Sequence, residues 1–337
     1  MGSALLVCSG GGHLKQLFTL VERIGIPPED QLWVTFRNGL SESLLAGREV
    51  VYAPFTAPRD LVNFGKLLLL AQQVTTRRAF DVAISTGSSP ALAFLPLAAR
   101  RGASAHYIES AARADGPSRT GAIIAARFPG VNTYTQYPGW ADDRWLYRGS
   151  IYDAFSTGPT AVVRDASIRR AVVSVGTQEG FTFDRLFKTL VPLLADCEEV
   201  MWQSGDQDLS EYHITGRPSV PHDELKSAVS DADVVIAHAG TGAALTALEQ
   251  GKCPILVPRL ARFGEHIDDH QVQIGREMDR RGLALFRSAE DILHADLVEA
   301  ASRNTVKVLP PPLLLEPARL ARGPRLSAEQ RIASRSA

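Results

Sequence analysis

The chain has 337 residues, room for about two domains of ordinary size, and is 45% hydrophobic and 22% charged. That composition excludes a disordered chain, a collagen and a coiled coil, and 36 basic against 37 acidic residues exclude an overall field that would hold nucleic acid. The balance is a sum of unlike parts: residues 1–165 carry 16 basic and 13 acidic side chains, residues 166–300 carry 13 and 22, and residues 301–337 carry 7 and 2.

Short apolar runs alternate with longer helical patterns, the mark of a mostly parallel α/β sheet. Taken in order, strands are expected near 4–8, 32–36, 50–53, 82–85 and 105–109. Helices are expected over 13–23, 60–78, 90–101 and 118–127. Near 158–170 the pattern lapses into Gly, Pro, Thr and charge, a linker. It restarts with a strand at 171–175, a helix at 184–195 and a strand at 199–203. A helix at 223–230, a strand at 234–237 and a helix at 241–250 follow, then a strand at 255–258 and a helix at 266–281. The expectation is two doubly wound Rossmann-like domains, 1–160 and 170–305, facing a cleft. Residues 306–337 form a Pro- and Arg-rich tail, partly disordered or packed back on the first domain. Cys8, Cys197 and Cys253 are too few and scattered for a disulfide framework or a zinc cluster, which points to a reduced cytoplasmic compartment. No apolar run reaches the roughly 20 residues of a spanning helix, and the start lacks a signal-peptide pattern, so membrane association would be peripheral.

Ligands of doubly wound sheets sit beyond the carboxyl ends of the strands, where the glycine-rich loops fall. The first such loop, Ser9-Gly10-Gly11-Gly12-His13, opens a helix. As a dinucleotide fingerprint it fails, because Lys15 stands at the third glycine position and the second strand ends at Arg37, not at an acid. No Gly-Lys-Ser/Thr follows, which excludes a P-loop. Two readings of His13 remain: a proton acceptor at the cleft mouth, or a cap bonded to a backbone carbonyl. The loop His238-Ala239-Gly240-Thr241-Gly242 offers bare N–H groups and a helix dipole, either a diphosphate site or a ligand-free tight turn. Gly264-Glu265-His266-Ile267-Asp268-Asp269-His270-Gln271 puts His266 and His270 four apart on the expected helix, a metal-capable spacing. It lacks the Glu of the zinc-protease pattern, and hydrogen bonding to a polyhydroxylated ligand fits its donors and acceptors better. Val175-Gly176-Thr177-Gln178 and Gln203-Ser204-Gly205 follow the first two strands of the second domain, as ligand loops or as plain turns. Over 60–78, Leu61, Val62, Phe64, Leu67–Leu70 and Val74 stand beside Arg59, Lys66, Arg77 and Arg78. Such a helix lies at an anionic membrane interface or against the sheet.

These loops, with Ser85-Thr86-Gly87-Ser88-Ser89-Pro90 and Tyr107-Ile108-Glu109-Ser110, resemble in order and spacing the glycosyltransferase family 28. Over residues 1–155 and 170–290 the chain is similar to a fusion of the two subunits of the UDP-N-acetylglucosamine transferase of dolichol-linked oligosaccharide synthesis, and to bacterial exopolysaccharide homologues. The resemblance implies a GT-B fold. It implies inverting transfer of a hexosyl group (N-acetylglucosamine, another hexose or a uronic acid) from a UDP-sugar to a lipid-linked saccharide, with no metal or other cofactor. His13 would be the base that deprotonates the acceptor hydroxyl, with Glu109 the alternative. Gly11, Gly12, Gly87 and Ser88 would form the acceptor-side loops. Ser204, Gly240 and Thr241 would line the diphosphate, and Gly176, Thr177, Gln203, His238 and Gly242 would be further donor-binding residues. His270 and Gln271 would bind sugar hydroxyls, and Pro221-His222 would lie at the uracil. Where the family holds the ribose with a Glu, this chain has Thr246, with Glu249 on another face of the helix. The implied partners are a nucleotide-sugar and a lipid-linked acceptor, at the inner face of the cytoplasmic membrane, and no nucleic acid. A UDP-sugar 2-epimerase shares the architecture, and a non-catalytic nucleotide-sugar-binding protein is the alternative of another class.

Overall fold

The computed structural model describes residues 3–57, 60–160, 167–176 and 180–317. Apolar runs without alternation become strands buried on both faces, which demands helices on either side of a parallel sheet. The strands of the first half are β1 (Ala4–Val7), β2 (Gln31–Phe36), β3 (Glu49–Ala53), β4 (Val82–Ser85), β5 (Ser104–Ile108), β6 (Val131–Thr135) and β7 (Trp145–Tyr147), of which β1 and β2 are buried throughout. They form one parallel sheet in the order β3-β2-β1-β4-β5-β6-β7. Its helices are α1 (Gly12–Ile24), α2 (Gly39–Leu44), α3 (Leu61–Arg77), α4 (Ser89–Arg100) and α5 (Arg119–Arg127). After the short β8 (Phe155–Thr157) comes the second sheet, with β9 (Arg170–Ser174), β10 (Glu199–Gln203), β11 (Val234–His238), β12 (Ile255–Val257) and β13 (Leu285–Phe286). It is also parallel, in the order β10-β9-β11-β12-β13, and is wrapped by α6 (Asp184–Leu193), α7 (His222–Asp231), α8 (Thr241–Glu249), α9 (His270–Arg280) and α10 (His294–Ser302).

Both sheets reverse their winding once, between β1 and β4 in the first and between β9 and β11 in the second. The crevice of a doubly wound sheet opens at that reversal, beyond the carboxyl ends of the strands. The loops after β1 and β4 hold His13 and Thr86, and the loops after β9 and β11 hold Gly176 and Gly240. The fold therefore puts the two sets of glycine loops at the two crevices.

The halves are joined through a shared apolar core. Leu14, Leu17, Leu20 and Val21 recur at helical spacing on α1, and all four are buried. They pack in one cluster with Ala244, Leu245 and Leu248 of α8 and with Ile274 and Met278 of α9. Gly25 ends α1 in the left-handed region (φ 77°), where its N–H satisfies the last carbonyls. Polar ties add to this: Arg113 to Asp268 at 2.8 Å and Arg281 to Asp153 at 3.1 Å. The last strand, β14 (Thr305–Lys307), pairs antiparallel with β8, which precedes the second sheet in sequence. Residues 308–317 then return across the first domain. Arg23 donates to Pro311 O (3.0 Å), Asn132 to Pro317 O (3.1 Å) and Glu316 N to the Tyr134 hydroxyl (2.8 Å), and Leu313 is buried. Of the expected tail, residues 318–337 lie outside the described residues, as do Arg59 and part of the expected linker.

Several elements differ from expectation. β6 reads Val-Asn-Thr-Tyr-Thr and hides from a search for apolar runs, yet Asn132, Thr133 and Thr135 are buried. The helix expected over 266–281 starts at His270, because Gly264 turns through the left-handed region (φ 69°) and 265–269 run as turns. His266 and His270 are thus not four apart on one helix. α2, β7, β8, β13, α10 and β14 were not expected.

Candidate active site

The cleft between the domains encloses about 1000 Å³, the size of a nucleotide or sugar site. Gly11, Gly12 and His13 line it from the first domain. Gly176, Gln203, His222, His238, Gly240, Thr241, Gly242, Thr246, His270 and Gln271 line it from the second. Thr177 and Gln178 lie outside the described residues.

His13 sits in the first turn of α1. Its Nδ1 donates to the Thr86 carbonyl at 2.8 Å, and the Thr86 hydroxyl donates to the His13 carbonyl at 2.8 Å. A proton held on Nδ1 leaves Nε2 with a free lone pair, the tautomer a base needs. Burial, with His270 and Arg113 adding charge repulsion, lowers the pKa of His13 from its ordinary 6.5, against a smaller opposing pull from the Thr86 bond. The imidazole is therefore neutral at pH 7. Both sequence readings of His13 are present at once: it bonds a backbone carbonyl, and that bond arms the other nitrogen.

Gly87 and Ser88 do not line the cleft; they support His13. A methyl group at Gly87 would lie 2.9 Å from His13 Cε1, and Gly87 has φ +128°. Ser88 holds a positive φ of 70°. Glu109 departs from the expected alternative base. It is buried behind the cleft wall, where its oxygens accept from Ser110 N (3.0 Å), Ser118 N (2.9 Å), Ser118 Oγ (3.0 Å) and the Tyr107 hydroxyl (3.2 Å). A carboxylate so engaged ties β5 to the start of α5.

The N-termini of α1 and α8 face each other. A methyl at Gly12 would sit 3.7 Å from Gly242 N, so two positive dipole ends converge where an anion would lie. Glycine is forced on this side by the His238 ring. A Cβ on Gly240 would come within 2.3 Å of His238 Nε2, and one on Gly176 within 2.7 Å of Cε1. Burial, and next the Arg259 charge, push His238 down to about 3, so it is neutral. Ser174 Oγ donates to Gln203 Oε1 at 2.5 Å, which fixes both loop bases. Ser204, expected at the diphosphate, is instead buried against a separate cavity of about 410 Å³ beside Gly216, with its N–H on the Arg217 carbonyl (2.9 Å).

Gln271 Oε1 accepts from Arg259 N at 3.0 Å, which leaves its amide N–H₂ for a ligand. His270 Nδ1 is bonded to Asp268, and that bond, ahead of the Arg113 pair, holds the Asp268 carboxyl well below the usual range. His266 stacks on Phe181 and meets His270 edge-on at 4.7 Å. His266, Asp268 and His270 present ligand atoms within 4.8 Å of one another and are the described residues that could hold a metal. Arg113 on Asp268 competes with a cation there.

Thr246, expected to face a ribose, donates from Oγ1 to Gly242 O (2.9 Å) and accepts from Lys15 Nζ (2.9 Å). The same ammonium pairs with Glu249 at 2.9 Å. Glu249 therefore does not lie on another face; one lysine of the first domain reaches both residues. Lys15 is buried and also lines the cleft, as does Arg259, whose side chain is 1% exposed. Sequence reasoning missed both. Lys15 registered only as a spoiled glycine position. Arg259 had one signal, its place at the carboxyl end of an expected strand.

Residues 170–307 match the glycosyltransferase family 28 C-terminal domain. A 59-residue stretch is 41% identical to the UDP-N-acetylglucosamine transferase subunit ALG13 of Yarrowia lipolytica, covering 18% of this chain and 28% of that protein. The chain thus spans little more than a quarter of the curated relative it matches. Among solved structures, MurG of Acinetobacter baumannii superposes with a TM-score of 0.54 at 15% identity over 88% of this chain and 89% of that one. UDP-GlcNAc 2-epimerase of Methanocaldococcus jannaschii does so at 0.55 and 11%, over 88% and 91%. These likenesses show the fold. The chain accordingly has GT-B architecture, and its residues 170–307 are similar to the glycosyltransferase family 28 C-terminal domain.

Proposed function

We propose that the chain is an inverting glycosyltransferase that moves a hexosyl group from a UDP-sugar to a lipid-linked saccharide acceptor, without a metal, at the inner face of the cytoplasmic membrane. The observation that carries this reading is His13, with Nδ1 committed to Thr86 and Nε2 free at a cleft whose other wall is the converging helix ends and glycine loops. In the step, the acceptor hydroxyl gives its proton to Nε2 as its oxygen bonds the anomeric carbon. The carbon–oxygen bond to the diphosphate breaks, and UDP leaves with the electron pair. The dipole ends of α1 and α8 favour the charge that develops there. Gln271 and His270 would hold sugar hydroxyls, and Pro221 and His222 the base.

A lipid-linked acceptor is supported by α3. Leu61, Val62 and Leu69 are 81, 71 and 67% exposed and Phe55, just before the helix, is 70% exposed, with Lys66 exposed beside them. Only Leu67, Ala71 and Thr75 of α3 are buried. No helix among the described residues is long and apolar enough to cross a membrane. An apolar face flanked by cations suits an anionic interface. The protein is expected to co-sediment with anionic vesicles at low salt, and failure to do so removes the membrane part of this reading.

The second reading is the 2-epimerase, favoured by the epimerase of equal structural likeness. A panel of UDP-sugars with a polyprenyl-diphosphate-saccharide acceptor separates the two. Transfer releases UDP only when the acceptor is supplied; epimerisation proceeds without it. Binding of UDP with no turnover across the panel would instead favour a non-catalytic nucleotide-sugar-binding protein.

A further inference from the structure

Arg259 is a buried charged group of the second domain's cleft wall that the proposed reaction leaves unused. It stands two residues beyond the end of β12, and its backbone N–H is held by Gln271. The side chain is 1% exposed, yet Nε and Nη2 have no hydrogen-bond partner. A guanidinium carries five N–H donors and stays charged at any working pH, so leaving the three on Nε and Nη2 dry in the interior is costly unless something arrives to take them. The nearest carboxylates are otherwise employed. Glu265 is gripped by Arg185 at 2.7 and 2.9 Å and by Leu260 N at 2.9 Å, and Asp206 accepts from Gly180 N at 2.5 Å.

The surroundings suit an anion. The guanidinium lies 5.7 Å from the Phe183 ring, which stacks on it without neutralising it. Nη2 is 4.0 Å from where a Cβ of Gly205 would stand, and the Gly176 carbonyl borders the same spot, so the glycine loops after β9 and β10 both converge on it. Its positive charge is felt by His238 and His266, both of which burial has already made neutral. Arg259 lines the same cleft as Gly176, Gln203 and Gly240.

We propose that Arg259 is the oxyanion-binding residue of the cleft, its Nε and Nη2 taking two oxygens of one anionic group on the donor in a fork. Side-on pairing of this kind is what a guanidinium offers and an ammonium does not. The group is either the diphosphate or a carboxylate carried by the sugar. The proposal rests on the nucleotide-sugar reading of the cleft and adds to it the charge that holds the ligand.

The test is calorimetric titration of wild type, Arg259→Gln and Arg259→Lys, each first shown folded by its melting curve. The probes are uridine, UDP, inorganic diphosphate, UDP-glucose and UDP-glucuronate. If the diphosphate is the ligand, Arg259→Gln loses at least about tenfold in affinity for UDP and inorganic diphosphate and nothing for uridine, on the scale of a lost charge-assisted bond. If the sugar carboxylate is the ligand, only UDP-glucuronate loses that factor. Arg259→Lys keeps the charge without the fork and falls between; it carries the test should the glutamine variant not fold. Equal affinity of a folded variant and wild type for UDP, diphosphate and UDP-glucuronate overturns the Arg259 assignment while leaving the donor reading intact. A wild-type protein that binds inorganic diphosphate through Arg259 but no nucleotide overturns the donor reading instead.

Discussion

The two crevices are built alike and finished differently. In the first domain the polar groups near the cleft are committed to one another: His13 to Thr86, Glu109 to Ser110, Ser118 and Tyr107, and Gln16 to Ala111 N at 2.7 Å. In the second, the loops stop short of satisfaction. Arg259 has two idle nitrogens and Gln271 an idle amide. The contrast suits a division of labour. A base must be held in one tautomer before substrate arrives, whereas a binding wall keeps its donors free for the ligand. It also matches the charge arithmetic, since the half with 13 basic and 22 acidic residues keeps one buried cation for its cleft.

The comparison breaks most visibly at His13. Replacement by Ala is expected to lower turnover by roughly 10²- to 10⁴-fold, the range for a lost general base, while UDP affinity stays within a factor of about two. Gly87→Ala attacks the support instead of the base. A methyl 2.9 Å from His13 Cε1, at φ +128°, displaces the ring, and a shift of that kind costs about 10²-fold in kcat and roughly 1–3 kcal/mol of stability. Turnover and thermal unfolding, measured together, separate these two variants, because His13→Ala is expected to leave stability nearly unchanged.

Lys15→Met tests the bridge between the halves. It keeps the buried stem but strips Thr246 and Glu249 of their shared ammonium, at a cost of roughly 1–3 kcal/mol in denaturant unfolding. Nucleotide affinity is expected to fall with it, since Lys15 lines the cleft. An unchanged midpoint would mean the clasp contributes nothing.

The smallest effects are in pH. His13 must be neutral to act, and burial lowers its pKa, so the acid limb of kcat/KM is expected below the ordinary histidine value of about 6.5. A limb at or above that value contradicts the burial argument. His106, buried away from the cleft between Ser104 Oγ (2.9 Å) and the Tyr134 hydroxyl (3.1 Å), is pushed down to about 4, chiefly by burial. Its unfolded form takes a proton near 6.5 and its folded form does not. Stability is therefore full above 6.5 and falls toward pH 4, by at most about 1.4 kcal/mol per pH unit from this group. His106→Gln should flatten that slope.

The sheets were legible in the sequence because buried parallel strands read as apolar runs and glycine marks their carboxyl ends. β6 was not, since its buried Asn132 and Thr133 make it look like surface. Of the site, His13 and the loops at 176 and 238–242 could be placed from the rule that ligands lie beyond strand ends. Glu109 misled because a buried structural carboxylate and a catalytic one look the same in one dimension. Ser204 misled because it points behind its loop. Lys15 and Arg259 depend on which face of α1 meets α8 and on which loops crowd together, and no local pattern encodes either.

The most direct test measures UDP release by wild type and His13→Ala with and without a polyprenyl-diphosphate-saccharide acceptor, alongside calorimetric UDP binding to both. The account predicts acceptor-dependent release by wild type, release by the variant lowered at least about 10²-fold, and UDP affinity that is the same in both. Release by His13→Ala at the wild-type rate would contradict it.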